Sequence, residues 1–220
     1  MVKKQKLTPL KIGIYLVLFF AAWSVKELVI QPVLLSPLTL NPIVSGVIGE
    51  VIKLLVWTLP AILLIKHYRD DMSISLKEMF TSKPTWFKDA FILLVIFAPL
   101  IRAGIFDGFA MNPDFDPTWL IGAVVFVGIT EEVVFRGFLL NAFLKKMKIQ
   151  YAIALDAVLF TLIHFPIWIY QGLGFSDFLR GIIVVPILSV LFAYSFIKTK
   201  HIFVPIALHM IWNLQVGLFG

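Results

Sequence analysis

Long apolar runs alternate with short polar stretches along the whole chain. A hydrocarbon core of about 30 Å is crossed by about 20 apolar residues in a helix. Seven segments meet this requirement, some of them with interruptions: 10–30, 42–66, 86–106, 118–143, 150–170, 180–198 and 201–219. The pattern predicts an all-α fold, a polytopic transmembrane helical bundle of about seven spans. Six to eight spans fit, since residues 31–45 could add a further span or a re-entrant piece.

Composition supports this class. The 220 residues are 60% hydrophobic and 15% charged, whereas soluble globular domains are about 45–50% apolar and about 25% charged. Cysteine is absent, which excludes disulfides, thiolate metal ligands and a cysteine nucleophile. The net charge of +6 comes from short lysine clusters between apolar runs. We therefore expect the lipid bilayer as a partner and no nucleic acid.

Lysine and arginine fall on alternate loops. The basic stretches are 3–11, 66–88, 145–148 and 198–200. The loops between them are uncharged, acidic or nearly neutral, so the positive-inside rule predicts a cytoplasmic N-terminus and an outside C-terminus. Residues 73–82 are predicted to form an interfacial amphipathic helix. Its membrane-facing side chains would be Ile74, Leu76, Met79 and Phe80.

Ionisable side chains inside the predicted spans are candidate functional groups, because each costs about 2.5–3.5 kcal/mol at mid-helix. They are Lys26, Glu27, Glu50, Lys53, Arg102, Glu131, Glu132, Arg136, Asp156, His164 and His209. Lys26 and Glu27 lie near a span end, where snorkelling gives them a structural role. Glu50 and Lys53 are three residues apart, which predicts an ion pair.

The sequence also gives expectations for one arginine, one aspartate and two loop histidines. Arg102 lies at a span end and is predicted to be an interfacial anchor. Asp156 could pair with a basic group or support a site, and the sequence does not choose between these. His67 and His201 lie in basic loops, where we expect both to be solvated.

The charged residues in "EEVVFR" are predicted to have two different roles. Glu132 and Arg136 are separated by four residues, so they are expected to form a salt bridge on one helix face. Glu131 is rotated by about 100° from Glu132 and cannot use that arginine in the same manner. It is therefore expected to be free for chemistry, unless all three charges belong to a structural network between helices.

Two histidines accompany these charges. Phe160 and His164 share one helix face, and so do His209 and Asn213. At 1.5 Å per residue from the basic ends of their spans, Glu131 and His164 lie at about 21 Å and Asn213 at about 18 Å. His209 is about one turn lower. Groups on three spans could thus converge on one polar cavity.

Such a cavity suits hydrolysis by water. A carboxylate and an imidazole can hold and deprotonate a water molecule, while a second imidazole and an amide can donate to an oxyanion. The same ligands could alternatively bind Zn²⁺. The sequence has no H-E-x-x-H or G-x-S-x-G motif, and Asp156 has no second intramembrane aspartate beside it.

Three motifs in order resemble a known family. "EEVVFR" (Glu131–Arg136) matches E-E-x-x-x-R, "FTLIH" (Phe160–His164) matches F-x-x-x-H, and "HMIWN" (His209–Asn213) matches H-x-x-x-N. The set resembles the CPBP or Abi family, which contains CAAX prenyl-proteases of the Ras-converting type and bacteriocin-processing or bacteriocin-immunity proteins. The chain is accordingly interpreted as one domain, 1–220, with a motif core at 126–219.

The resemblance implies a glutamate-type intramembrane endopeptidase of a bacterial cell membrane. Glu131 and His164 would activate water, and His209 and Asn213 would stabilise the oxyanion. Glu132, Arg136 and Phe160 would support the site. A metal-free mechanism is favoured, with zinc left open, and the substrate would be a membrane-associated peptide or protein such as a bacteriocin or pheromone leader.

Two non-proteolytic functions use the same polar groups. A non-catalytic immunity or peptide-binding protein could grip a peptide in the cavity. A proton-coupled transporter could relay protons through Glu and His. Against transport, the sequence has no matching pair of Gly/Pro-broken helices in two halves.

Overall fold

A computed structural model describes residues 6–38, 42–83 and 89–219. The predicted inner lysines Lys3, Lys4 and Lys88 lie outside these residues, as does the centre of the 31–45 segment. The described residues form helices and turns without a β-strand. The chain is thus a polytopic helical bundle, as its hydropathy predicts.

In the part of the chain that the structure describes, seven helical segments correspond to the seven predicted spans. They are α1 (Pro9–Leu35), α2 (42–67), α3 (90–106), α4 (120–144), α5 (Ile149–Tyr170), α6 (Phe175–Thr199) and α7 (Phe203–Phe219). Within the described residues, α1, α5, α6 and the Gly46–His67 part of α2 are long and apolar enough to cross a membrane. The other three are shorter or, in α4, interrupted by three charges.

The helices are not uniform. Wider π-helical turns occur at Lys26–Leu35, Leu54–Thr58, Leu120–Phe126 and Val133–Leu140. Helix α3 breaks into Ala90–Ile96 and Ala98–Phe106, and α5 breaks into Ile149–Leu162 and Phe165–Tyr170. In both cases proline follows the break and cannot donate to the preceding turn. The remaining elements are the short helix Leu76–Thr81 and 3₁₀ turns at Ser36–Leu38 and Arg69–Asp71.

Basic loops meet at one end of the bundle. Lys146 Nζ lies 3.8 Å from Asp71 Oδ1, and Lys200 Nζ lies 3.1 Å from Glu78 Oε1. The backbone N–H of Leu7 also donates to Asp71. We call this the basic end.

The acidic and uncharged loops meet at the opposite end, called here the acidic end. There the Asn112 N–H donates to the Leu218 carbonyl at 2.7 Å, which ties the 107–118 loop to α7. The hydroxyls of Ser36 and Tyr170 lie 3.2 Å apart and link α1 to α5.

The core between α1, α2, α4 and α5 is aromatic. The Trp57 ring lies 4.8 Å from Phe19 and 4.5 Å from Trp23, and the Phe135 ring lies 4.9 Å edge-on from Phe160. Trp57 and Phe135 are at most 1% exposed. Aromatic pairs in this geometry add about 0.5–1.5 kcal/mol each beyond the area they bury.

The prediction for residues 73–82 is partly wrong. A short helix is present, capped by the Ser75 side chain. Ile74 and Met79, however, are 4% and 2% exposed and pack into the protein. Asn141 explains this, because its side-chain amide accepts from the Ile74 N–H and donates to the Ile74 carbonyl. Phe80 remains exposed as expected.

Gly128 allows α4 and α7 to approach closely. A Cβ at this position would lie 2.8 Å from Met210 Cγ and 3.6 Å from the Ile206 carbonyl oxygen. The bare backbone therefore sets the distance across which Glu132 reaches α7.

We predict that Gly128→Ala destabilises the protein by about 1–3 kcal/mol, because the added methyl overpacks this contact. Gly13→Ala is the matched control, since a Cβ there would have no atom of the described residues within 4 Å. The control should be neutral or stabilising, as alanine favours helix over glycine by about 1 kcal/mol. Thermal unfolding in detergent measures both, and equal midpoints would contradict the packing account.

Candidate active site

Helix α4 carries two adjacent buried carboxylates that point to different neighbours. Glu131 is 5% exposed and Glu132 is fully buried. Successive side chains on a helix are rotated by about 100°. Glu132 consequently faces Arg136 and α7, whereas Glu131 faces α2.

Arg136 lies at the centre of a buried polar network. Its Nη1 donates to Glu132 Oε1 at 3.0 Å, so the predicted i,i+4 pair is present. Its Nη2 donates to the Ser189 hydroxyl and carbonyl at 2.8 and 3.0 Å. Its Nε lies 3.6 Å from Asp156 Oδ2, and the guanidinium also stacks on Phe160. One cation thus faces two carboxylates and joins α4 to α5 and α6.

Glu132 also orients His209. The same Oε1 that meets Arg136 accepts from His209 Nδ1 at 2.9 Å. The imidazole stacks on Phe192 with ring centres 4.9 Å apart. Its Nε2 is then directed to within 4.0 Å of Glu131 Oε2. This link between the first and third motifs was not predicted.

Glu131 is not free, contrary to the prediction. Lys53 Nζ donates to its Oε1 at 3.0 Å. This pairing also overturns the predicted Glu50–Lys53 ion pair. The ammonium is held by cation–π contacts, 4.6 Å from the Trp57 ring and 5.5 Å from the Trp23 ring. The second oxygen of Glu131, Oε2, makes no hydrogen bond to any residue that the structure describes.

His164 lies where α5 breaks. Its Nδ1 donates to the Phe160 carbonyl at 2.7 Å, which directs Nε2 away from that backbone. The Phe160 ring is 5.1 Å from His164 and 6.1 Å from His209, so it packs against both imidazoles. Phe160 therefore packs between the two histidines.

An open cavity of ≈ 580 Å³ brings these groups together. Glu131, His164 and Asn213 line it, together with Lys53 and Glu50 from α2. Asn213 donates one amide hydrogen to the Ala123 carbonyl at 2.8 Å, which leaves the other hydrogen for a ligand. The structure thus places all four predicted catalytic residues at or beside one cavity, while their roles stay predictions.

The N-terminal half contributes charges that were interpreted as structural. Lys26 and Glu27 form an ion pair at 2.9 Å and line the same cavity, with Glu27 only 2% exposed. Lys53 likewise belongs to the site. The available signal was their position inside apolar spans, because such charges usually face a cavity.

Two further sequence expectations concern histidine and metal. His201 is buried rather than solvated, at 7% exposure, and its Nδ1 accepts from the Phe203 N–H. His67 is exposed as expected. Within residues 6–38, 42–83 and 89–219, no group of three His, Asp or Glu side chains is arranged to hold a metal ion.

Comparison with known families bears on the site directly. Residues 113–215 match the family model described as Rce1-like, type II CAAX prenyl endopeptidase Rce1-like. Over these residues the chain is similar to the Rce1-like family. The resemblance predicted from the three motifs is confirmed. Searches of curated proteins and of solved structures found no match.

The Rce1-like region contains all seven predicted site residues, from Glu131 to Asn213. Lys53, Glu50 and the Lys26–Glu27 pair lie outside it. The family match therefore covers the motif side of the cavity, and α1 and α2 supply the opposite wall.

We predict that Arg136→Gln destabilises the protein by about 3–5 kcal/mol, because it leaves Glu132 and Asp156 as buried carboxylates without a cation. Arg180→Gln is the matched control, since Arg180 is 74% exposed in its pair with Asp177 and such pairs contribute little. Thermal unfolding in detergent compares the two. Equal midpoints would show that the buried network does not hold the helices together.

Proposed function

We propose that the protein is an intramembrane endopeptidase that hydrolyses a peptide bond in a membrane-associated peptide or protein. The Rce1-like family is a protease family. The proposed mechanism rests on one observation: Glu131 and His164, which belong to separate motifs, line the same cavity. Glu131 Oε2, which makes no hydrogen bond within the described part of the chain, is the base in this proposal.

Water activation is the first step. Glu131 Oε2 accepts a proton from water while His164 Nε2 orients the same molecule, and the water oxygen attacks the peptide carbonyl carbon. The proton then passes to the amide nitrogen as the C–N bond breaks. General acid–base catalysis of this kind contributes about 10²–10⁴-fold.

The oxyanion formed in that step is stabilised by hydrogen-bond donors and positive charge. Asn213 has one amide hydrogen left after its bond to Ala123. His209 is the second group that we place at the oxyanion: Nδ1 is held by Glu132, and Nε2 is the ring atom directed at the site. Lys53 adds a positive charge beside the reacting centre. Donors fixed in advance cost no reorganisation when the charge develops.

A peptide-binding or immunity function without catalysis is the second candidate. The Lys53–Glu131 ion pair favours it, because a carboxylate bound to an ammonium is a poorer base than a free one. In this function the cavity would grip a peptide and release it unchanged. We propose in either case that the partners are lipid and peptide, that nucleic acid is not bound, and that no metal takes part.

We predict that Glu131→Gln and His164→Ala lose cleavage by about 10²–10⁴-fold and stay folded, because each removes one group that acts on water. The assay uses purified protein and fluorogenic peptides with a hydrophobic anchor. Glu78→Gln and His67→Ala are matched controls, since both residues lie at the basic end, remote from the cavity. Both controls should cleave like the wild type.

Two outcomes separate the candidates. Retained cleavage in both site variants would overturn the proposed mechanism, and peptide binding without cleavage by the wild type would favour the immunity function. A chelator added to the wild type should leave cleavage unchanged. Loss of cleavage that zinc restores would replace the metal-free proposal.

We predict that Lys53→Met lowers the cleavage rate at least about tenfold, which corresponds to 1.4 kcal/mol in the barrier. The substitution removes the positive charge that Lys53 adds beside the reacting centre, and this loss outweighs the stronger base that Glu131 becomes without its cation. Lys26→Met is the control, because Lys26 lines the same cavity but pairs with Glu27. Equal rates in the two variants would exclude Lys53 from the mechanism.

A further inference from the structure

The cavity opens at the acidic end. The residues at its mouth each lie within about one helical turn of a helix end. They are Gln31 on α1, Gly46 on α2, Trp119 before α4, Gln171 after α5 and Val216 on α7. Trp119 and Val216 are 42% and 38% exposed. The mouth is therefore built from five helices at the same end of the bundle.

The cavity is closed toward the basic end. One to two turns beyond Glu131 on α4, Phe135 and Phe138 are fully buried. Ala61 and Ile65 of α2, which are at most 2% exposed, pack with them in the same core. Close packing of this kind leaves no space for a polypeptide to pass.

Charge differs between the two ends. The closed end carries the lysines and arginines of 6–11, 66–83, 145–148 and 198–200. The open end carries Arg102 and Arg180, and Lys26 lies deeper on α1, where it pairs with Glu27.

Both open-end arginines are offset by nearby acids. Arg102 pairs with Asp107 at 2.8 Å, and Arg180 pairs with Asp177 at 3.0 Å. Asp114 and Asp116 add further negative charge to this end.

Membrane proteins keep lysine-rich and arginine-rich loops on the cytoplasmic side. We propose that the site opens to the non-cytoplasmic face of the membrane and takes its peptide there. On the proposed function, the substrate class is an exported peptide or the outward-facing end of a membrane-anchored segment. A chain end held in the cytoplasm meets the sealed end and cannot reach Glu131.

The absence of cysteine makes this orientation directly measurable. Single cysteines are introduced at the acidic end as Gln171→Cys and Ser36→Cys, and at the basic end as Lys145→Cys and Lys77→Cys. All four positions are exposed. Intact cells are treated with a membrane-impermeant maleimide, and the same cells are treated again after permeabilisation.

We expect Gln171→Cys and Ser36→Cys to react in intact cells, and Lys145→Cys and Lys77→Cys to react only after permeabilisation. The opposite pattern would overturn the proposal. Two positions at each end ensure that one poorly folded variant does not remove the test.

The labelling needs no cleavage, so its result is independent of the proposed protease activity. A second arm supplies the fluorogenic peptide to one face of oriented vesicles. We expect cleavage only when the peptide is supplied to the non-cytoplasmic face. We also expect labelling of Gln171→Cys to block this cleavage. Cleavage from the cytoplasmic face would overturn the proposal. Expected labelling with no cleavage from either face would reject the protease function and leave the orientation standing.

Discussion

The buried Arg136 guanidinium is the interaction on which the site depends. Each ion moved out of water into such an interior costs several kcal/mol, which is recovered only when good partners surround it. Arg136 has those partners in Glu132, Asp156 and Ser189. Through Glu132 it also fixes His209 on α7. One cation therefore holds four helices at the depth where the cavity ends.

Because of that arrangement, the two adjacent glutamates have different partners. Glu132 is used structurally, because its Oε1 is shared by Arg136 and His209. Glu131 lies outside the arginine network and meets Lys53 from the opposite wall. The cavity is thus a junction between the Rce1-like motif helices and the first two spans, and one carboxylate oxygen of Glu131 makes no hydrogen bond to the described residues.

Local periodicity was enough to predict the helices and the contacts within them. The seven apolar runs became seven helical segments, and Glu132 with Arg136 formed the pair expected four residues apart. Contacts between distant segments were not predictable in this way. Lys53 and Glu131 are 78 residues apart, and nothing in the spacing of either helix selects that pair over Glu50 with Lys53. Likewise, the burial of Ile74 depends on Asn141 from another helix.

We propose that Glu131 directs water onto the peptide bond without a covalent enzyme intermediate. Cleavage in the presence of hydroxylamine tests it most directly, because an acyl-enzyme would partition between water and the added nucleophile. With water as the nucleophile, we expect the new peptide terminus to be entirely a free carboxylate, with no burst of the first product. A hydroxamate product that grows with hydroxylamine concentration would contradict it.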